Sequence, residues 1–373
     1  MEKTSVVRVN SKRDLRKFIH FPWRIYKNDP HWVPPLILDL KERLSRDKNP
    51  FFEHAKMDLF LAYKNDRLTG RIAAIMDENH NQFHDEKIVF FGLYESLNDL
   101  DTAKILLDKV AEWGRERGMD TLRGPVNLSM NDECAFLVEG FDSPPVIMMP
   151  YNPPYYLELM EKCGLRKAKD LLAFIMTKDH PTAEKVHQIV EKTKSETNIT
   201  LRNLKRKTAD QDAEKIKFIY NEAWEKNWGF VPWTEKEMSY MVKKLKMVAD
   251  YSLVILAEDR GKPVGFIFGM PNLNEVFKKM NGRLLPFGIL KFFLYRKKIK
   301  GMRGIVFGVL NEYRLTGLSY LLYSELEKNA QVRGYEWAET SWQLEDNEAI
   351  NRFIASTGGK VYKKYRIYEK RIV

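Results

Sequence analysis

The feature that most narrows what this chain can fold into is a repeat at a displacement of 195 residues. Leu59–Met76 reads LFLAYKNDRLTGRIAAIM, and Leu253–Met270 reads LVILAEDRGKPVGFIFGM. Each is an apolar run, a polar turn and a second apolar run, the signature of a β-hairpin. Ala62 and Gly70 of the first fall on Ala257 and Gly265 of the second. The correspondence continues along the chain. Lys87–Glu95 (KIVFFGLYE) matches Gly304–Glu312 (GIVFGVLNE), and amphipathic helical patterns follow over Thr102–Gly118 and Leu318–Gly334. Leu157–Met176 and Arg352–Tyr368 each read as helix, Gly and strand, with Gly164 and Gly359 again 195 apart. One order of elements, met twice, predicts two tandem α/β domains with mixed (α+β) sheets, residues 1–180 and 181–373. The junction is expected near residues 180–196, with a helix that opens the second half.

Chemistry concentrates in Arg303–Gly334 of the second half. A short apolar run, Ile305–Leu310, leads through a polar turn, Asn311–Thr316, into a helix whose Leu318, Leu321, Leu322 and Leu326 share one face. The first amides of a helix have no partner inside it and the dipole is positive there, which suits an anion. Gly317 would let a phosphate approach the backbone, and Arg314 would add a charge-assisted contact. These residues resemble the acyl-CoA-binding motif of the GNAT superfamily of N-acyltransferases: Val309 ends the strand, Arg314 and Gly317 fit, and Ser319 stands at the last small position. Asn347, Ala349, Phe353 and Gly358, followed by a strand over Val361–Tyr368, are similar to the closing segment of that superfamily.

The resemblance implies two tandem GNAT-like domains and transfer of an acyl group from acetyl-CoA or a longer acyl-CoA to an amine. It implies a cofactor site made of Val309, Leu310, Arg314, Leu315, Thr316, Gly317, Leu318, Ser319 and Asn347. The thioester carbonyl would meet a backbone amide at the splayed end of the fourth strand, at Val309 and Leu310. The position where the family often has a Tyr acid holds Ile354, and its counterpart in the first half is Met160. Tyr323 and Tyr365 are possible substitutes. Glu312 and Glu339 are the candidate general bases. The seven His show no metal-ligand spacing.

The first half has lost the phosphate motif. With Leu106–Leu107 laid on Leu321–Leu322, Asp99 stands in place of Arg314, Thr102 in place of Gly317 and Lys104 in place of Ser319. Asp99 and Asp101 would cap the helix themselves and repel a pyrophosphate. This half is predicted to be a scaffold or to supply acceptor contacts. Its long proline-rich loop after the fifth strand carries Phe136, Phe141, Ile147 and Met148, and is expected to fold over a groove. Asn127, Ser129, Asn131 and Asp132 are its candidate substrate contacts.

A net charge of +11 calls for an anionic partner: a phosphorylated cofactor, nucleic acid or an anionic membrane. Zinc-finger spacing and RNA-binding aromatics are missing, so nucleic acid is not the expected partner. Two Cys and a start without a signal-peptide core fit a reducing cytoplasm. An insert, Asn274–Met302, holds an apolar run, Leu284–Tyr295, followed by Arg296, Lys297, Lys298 and Lys300. It is too short to span a bilayer but suits peripheral contact through residues 284–300. The acceptor is expected to be a small-molecule amine or a lipid-like amine. Two alternatives stand beside this reading: a non-catalytic CoA-binding or scaffold protein, and an aminoacyl-tRNA-dependent transferase like the tandem peptidoglycan aminoacyltransferases.

Overall fold

A computed structural model describes residues 3–177 and 182–372; the expected boundary at residues 180 and 181 lies outside them. The chain begins with β1 (Thr4–Arg8), α1 (Lys12–His20), α2 (Pro22–Ile25) and α3 (Ile37–Arg43). The hairpin β2 (Ala55–Lys64) and β3 (Arg67–Asp77) leads to α4 (Glu78–His84), β4 (Ile88–Ser96), α5 (Leu100–Arg115) and β5 (Thr121–Gly124). Then come β6 (Phe136–Glu139), α6 (Tyr155–Lys162), β7 (Arg166–Thr177), α7 (Glu184–Glu196) and β8 (Ile199–Asn203). Next are α8 (Ala209–Trp224), α9 (Glu235–Leu245), the hairpin β9 (Val254–Asp259) and β10 (Lys262–Pro271), α10 (Asn274–Met280) and α11 (Gly288–Tyr295). The chain ends with β11 (Gly301–Val309), α12 (Leu318–Val332), β12 (Trp337–Leu344), α13 (Glu348–Ser356) and β13 (Lys360–Arg371).

Two compact units result, neither continuous in sequence. Unit 1 is Met1–Leu171 with Phe277–Phe292 and Lys363–Val373; unit 2 is Leu172–Val276 with Phe293–Tyr362. The division therefore differs from two consecutive halves, and long-range contacts give the reason. Trp23 donates its indole N–H to Asn281 at 3.0 Å, and the Ile37 amide donates to the Gly282 carbonyl at 3.0 Å. A Cβ on Gly282 would lie 2.5 Å from the Trp23 ring, so the small residue lets the insert close on the N-terminal segment. The last strand pairs antiparallel with β5, Tyr368 opposite Gly124, and Arg366 grips Asp170 with two bonds of 2.7 and 2.9 Å.

The repeat is visible in each sheet. In unit 1 the order is β1-β2-β3-β4-β5-β13, antiparallel except β4 with β5. In unit 2 it is β12-β11-β10-β9-β8, antiparallel except β11 with β12. Parallel neighbours need a crossover, and α5 and α12 supply it. Leu106, Leu107 and Val110 of α5 are fully buried among Ile72, Ala74 and Val89. Each such side chain stabilises the unit by about 1.5–3 kcal/mol. Leu318, Leu321, Leu322 and Leu326 do the same for α12 against Ile255, Ala257 and Val264.

The closing helices refine the register of the repeat. α6 and α13 are followed by left-handed glycines, Gly164 (φ +81°) and Gly358 (φ +91°). The next amide reaches back in both cases, Leu165 to the Met160 carbonyl and Gly359 to the Ile354 carbonyl. The structural partner of Gly164 is thus Gly358, one residue from the expected Gly359, because the terminating turn needs a residue at positive φ. Among the described residues no helix is long and apolar enough to cross a membrane.

Candidate active site

In unit 2 the strand β11 parts from β12. Their pairing runs only from Gly301–Trp337 to Gly304–Thr340. At that height β11 carries a bulge: Gly304 lies opposite Gly269 and Val306 opposite Phe268, leaving Ile305 extra. A bulge bends its strand and ends regular pairing. Beyond it, Val306–Val309 keep their ladder to β10 alone. Backbone groups on a strand alternate in direction. The Leu310 amide donates to the Val264 carbonyl at 3.0 Å, so that of Val309 turns to the side β12 has left. Of the two residues expected to meet a thioester carbonyl, Val309 therefore keeps an amide available and Leu310 spends its own on the sheet. Trp224 of α8 donates its indole N–H to the Phe307 carbonyl at 2.9 Å on this same strand.

The turn that follows leads into α12 through Gly317, which is its N-cap at φ +84° and supplies no side chain. Among the described residues no hydrogen bond takes the amides of Leu315, Gly317, Leu318 or Ser319. Four open donors, with the helix dipole behind them, are what an anion would need there. Arg314 and Thr316 are exposed, and Leu315 is wholly so. Arg314 donates to the Ala223 carbonyl at 3.0 Å, which steadies its guanidinium at the turn. Gly317 itself has a structural reason besides phosphate access. A Cβ there would stand 2.1 Å from Thr193 Oγ1, and Thr193 of α7 donates to the Thr316 carbonyl at 3.2 Å.

The two candidate bases differ sharply. Glu312 is exposed in the turn and pairs with Lys262 at 3.4 Å, which is the environment of a solvated surface ion pair. Glu339 is fully buried on β12, one residue before the last contact with β11. One of its carboxylate oxygens accepts from Tyr362; the other has no partner among the described residues. Thr340 Oγ1 and Trp342 Nε1 on the same strand are also buried without partners. Buried polar atoms left unpaired are costly, which marks this strand as a place where a ligand could supply partners. Arg303 faces Glu339 across the ladder and is held by Ser341, Nε to Oγ at 2.8 Å.

Other expected site residues have structural partners within the chain. Asn347 caps α13, accepting from the Ile350 amide, and its side chain is used there. Tyr323 is buried and hydrogen-bonded to Glu327 and the Thr357 carbonyl; burial holds its hydroxyl far above its ordinary pKa. In unit 1, Asn127 accepts from the Leu93 amide at 2.8 Å, and its neighbour Val126 donates to the Phe91 carbonyl at 2.8 Å. Asn127 thus fills the place where β4 leaves β5. Ser129 accepts from the Asn131 amide at 2.9 Å, and Asp132 pairs with Arg43 at 3.2 Å. These bonds brace the loop on its own unit. Asp99 caps α5 through the Thr102 amide, as its place in the sequence predicts, and Lys64 binds it at 2.9 Å. Tyr362, Trp224 and Thr193 were not foreseen. Each meets its partner across a long sequence separation, and only the alternation of the last strand hinted at Tyr362.

No family model matches the chain. It is 34% identical over 373 residues to Protein YghO of Escherichia coli, covering 97% of this chain and 94% of that one. It is 35% identical over 376 aligned positions to the bacterial ceramide synthase of Caulobacter vibrioides, covering 99% and 97%. Among solved structures it matches a tandem GNAT protein from the clavulanic acid biosynthesis pathway, with a TM-score of 0.60 at 12% identity over 100% of this chain and 99% of that one. A GCN5-related N-acetyltransferase from Sphaerobacter thermophilus gives a TM-score of 0.53 at 14% identity. The chain has the tandem GNAT fold and belongs to the family of Protein YghO and the bacterial ceramide synthase.

Proposed function

We propose that this protein is an acyl-CoA-dependent N-acyltransferase whose acceptor is a lipid-like amine. The observation that carries the reading is the open splay of β11 from β12, bordered by the unpartnered atoms of Glu339, Thr340 and Trp342. The amides of Leu315 and Gly317–Ser319, with Arg314, would hold the pyrophosphate of an acyl-CoA. The Val309 amide would support the oxyanion that forms when an amine attacks the thioester carbonyl. Glu339 is the favoured base over Glu312. It is buried beside the splay and has an oxygen free to take the proton of an incoming ammonium. Tyr362 orients it from its other oxygen. The thiolate leaves as the amide bond forms, and a thiolate tolerates departure without a neighbouring acid. A ceramide is the amide of a fatty acid with a long-chain amino alcohol. The name of the Caulobacter relative therefore supports a lipid amine as acceptor and a long acyl chain as donor.

The test combines palmitoyl-CoA or acetyl-CoA with long-chain and short amines, following CoA thiol release and amide mass. Long-chain pairs should give product, and Glu339→Gln should lower kcat by roughly 10²–10⁴ while CoA binding persists. Absence of amide product from every pair would sink the reading. Neither the scaffold nor the tRNA alternative has an observation of its own in the site.

A further inference from the structure

Fifteen large apolar side chains are exposed among the described residues, and six of them fall within ten positions. Leu285, Phe287, Leu290, Phe293 and Leu294 are 57–69% exposed, with Ile289 beside them. The others are scattered singly, as on any soluble surface. This cluster sits on α11 and the turn before it. The turn is fixed by its own backbone: a Cβ on Gly288 would lie 2.0 Å from the Arg283 carbonyl oxygen, and Lys291 donates to the Lys279 carbonyl at 3.0 Å. The apolar side chains thus stand on a built element rather than a loose strand of chain.

Charge selects the occupant. From Phe277 to Lys300 there are eight Lys or Arg and no Asp or Glu. Arg296 lies over the Phe293 ring at 5.4 Å and Lys298 over the Tyr295 ring at 5.8 Å, so cations border the apolar face directly. A second copy of the chain would bring the same positive charges against each other. α11 has eight residues and is about 12 Å long, too short to cross a bilayer but long enough to lie in its surface. We propose that residues 285–298 form a docking surface for an anionic lipid bilayer, with the apolar side chains entering the acyl boundary and Lys291, Arg296, Lys297 and Lys298 meeting the phosphates. The proposal rests on this surface and is independent of which amine is acylated.

The experiment sediments the full chain with vesicles of phosphatidylcholine alone or mixed with phosphatidylglycerol. The protein should pellet with the mixed vesicles and bind more weakly as salt rises. Leu290→Asp with Leu294→Asp should abolish pelleting. Lys297→Gln with Lys298→Gln should weaken it by roughly 25-fold, about fivefold for each charge. All variants should keep the wild-type CoA affinity, which separates loss of docking from loss of fold or site. The proposal is overturned if the wild type stays in solution with both vesicle types. It is equally overturned if light scattering finds a dimer that the Leu290 and Leu294 pair dissociates, since the face then belongs to a second copy.

Discussion

Leu93 on β4 and Val309 on β11 both lie beyond the point where their strand leaves its parallel neighbour, and their amides meet different things. In unit 1, Asn127 accepts the Leu93 amide, Val126 takes the Phe91 carbonyl, and the Tyr156 hydroxyl accepts the Ser96 amide at 2.8 Å. Behind them Glu95 is partly buried with Arg71 at 3.7 Å and the Tyr156 hydroxyl; desolvation pushes its carboxyl up despite that arginine. In unit 2 the Trp224 indole takes the Phe307 carbonyl, but among the described residues no side chain takes the Val309 amide. The crossover helices differ likewise. α5 is capped by Asp99 and α12 by a bare glycine. Duplicated backbone is therefore kept in both units, while a loop and one cap residue differ at the places where, in the proposed reading, unit 2 accepts its ligand.

The largest effect that could break this contrast is stoichiometry. Calorimetric titration should find one CoA site per chain. Arg314→Glu with Ser319→Glu should weaken binding by about 100-fold or more, since a charge-assisted bond worth about 1.5–3 kcal/mol is replaced by repulsion. Asp99→Ser with Lys104→Ser, the mirror change in unit 1, should leave affinity untouched. Two sites per chain would refute the division of labour.

Asn127 sharpens the contrast next. Asn127→Ala leaves the half-buried Leu93 amide without its acceptor and should cost about 1–3 kcal/mol by chemical denaturation. Turnover of the folded variant should match the wild type. A lost rate with unchanged stability would instead return Asn127 to the acceptor site that its polarity suggested.

What the sequence conveyed was what local chemistry encodes. Hairpins, crossover helices and the Arg314–Ser319 loop depend on spacing along the chain, and they lie close to where periodicity puts them. Glu339 came from alternation on a short strand. Asn347 carried a readable signal as well, an Asn before a helix, and it caps α13. The plug by Asn127, the bond from Tyr362 to Glu339 and the attachment of Phe277–Phe292 to unit 1 depend on partners far away in sequence. Nothing in local pattern encodes such pairings.

Gly317 tests whether its conservation of space serves α7 or a ligand. Gly317→Ala must adopt φ near +84° and displace Thr193 Oγ1, so it should lose about 1–2 kcal/mol from the backbone alone. Thr193→Ala added to it should recover the part owed to the collision, giving a non-additive cycle in urea midpoints. Strict additivity would mean that Thr193 moves aside without cost.

The smallest effect concerns β5 and β12, the same strand of the repeat. β12 carries Glu339 with an unpaired oxygen, whereas Arg123 of β5 is saturated by Glu86, at 2.9 and 3.1 Å, and by Glu369 at 2.9 Å. Burial pushes the Glu86 carboxyl up, but the bonds from His80 and Arg123 outweigh it and bring the pKa from 4.5 to about 2. A depressed folded pKa stabilises above the unfolded value and is lost as protons bind. The Glu86 contribution should therefore be complete above about pH 4.5 and decline toward about pH 2. The group is partly exposed, so the loss should stay below about 1 kcal/mol. Urea midpoints at pH 5 and pH 3 should fall less in Glu86→Gln than in the wild type. Equal falls would mean that the saturated strand owes nothing to this carboxylate, and that the difference between β5 and β12 lies in ligand access alone.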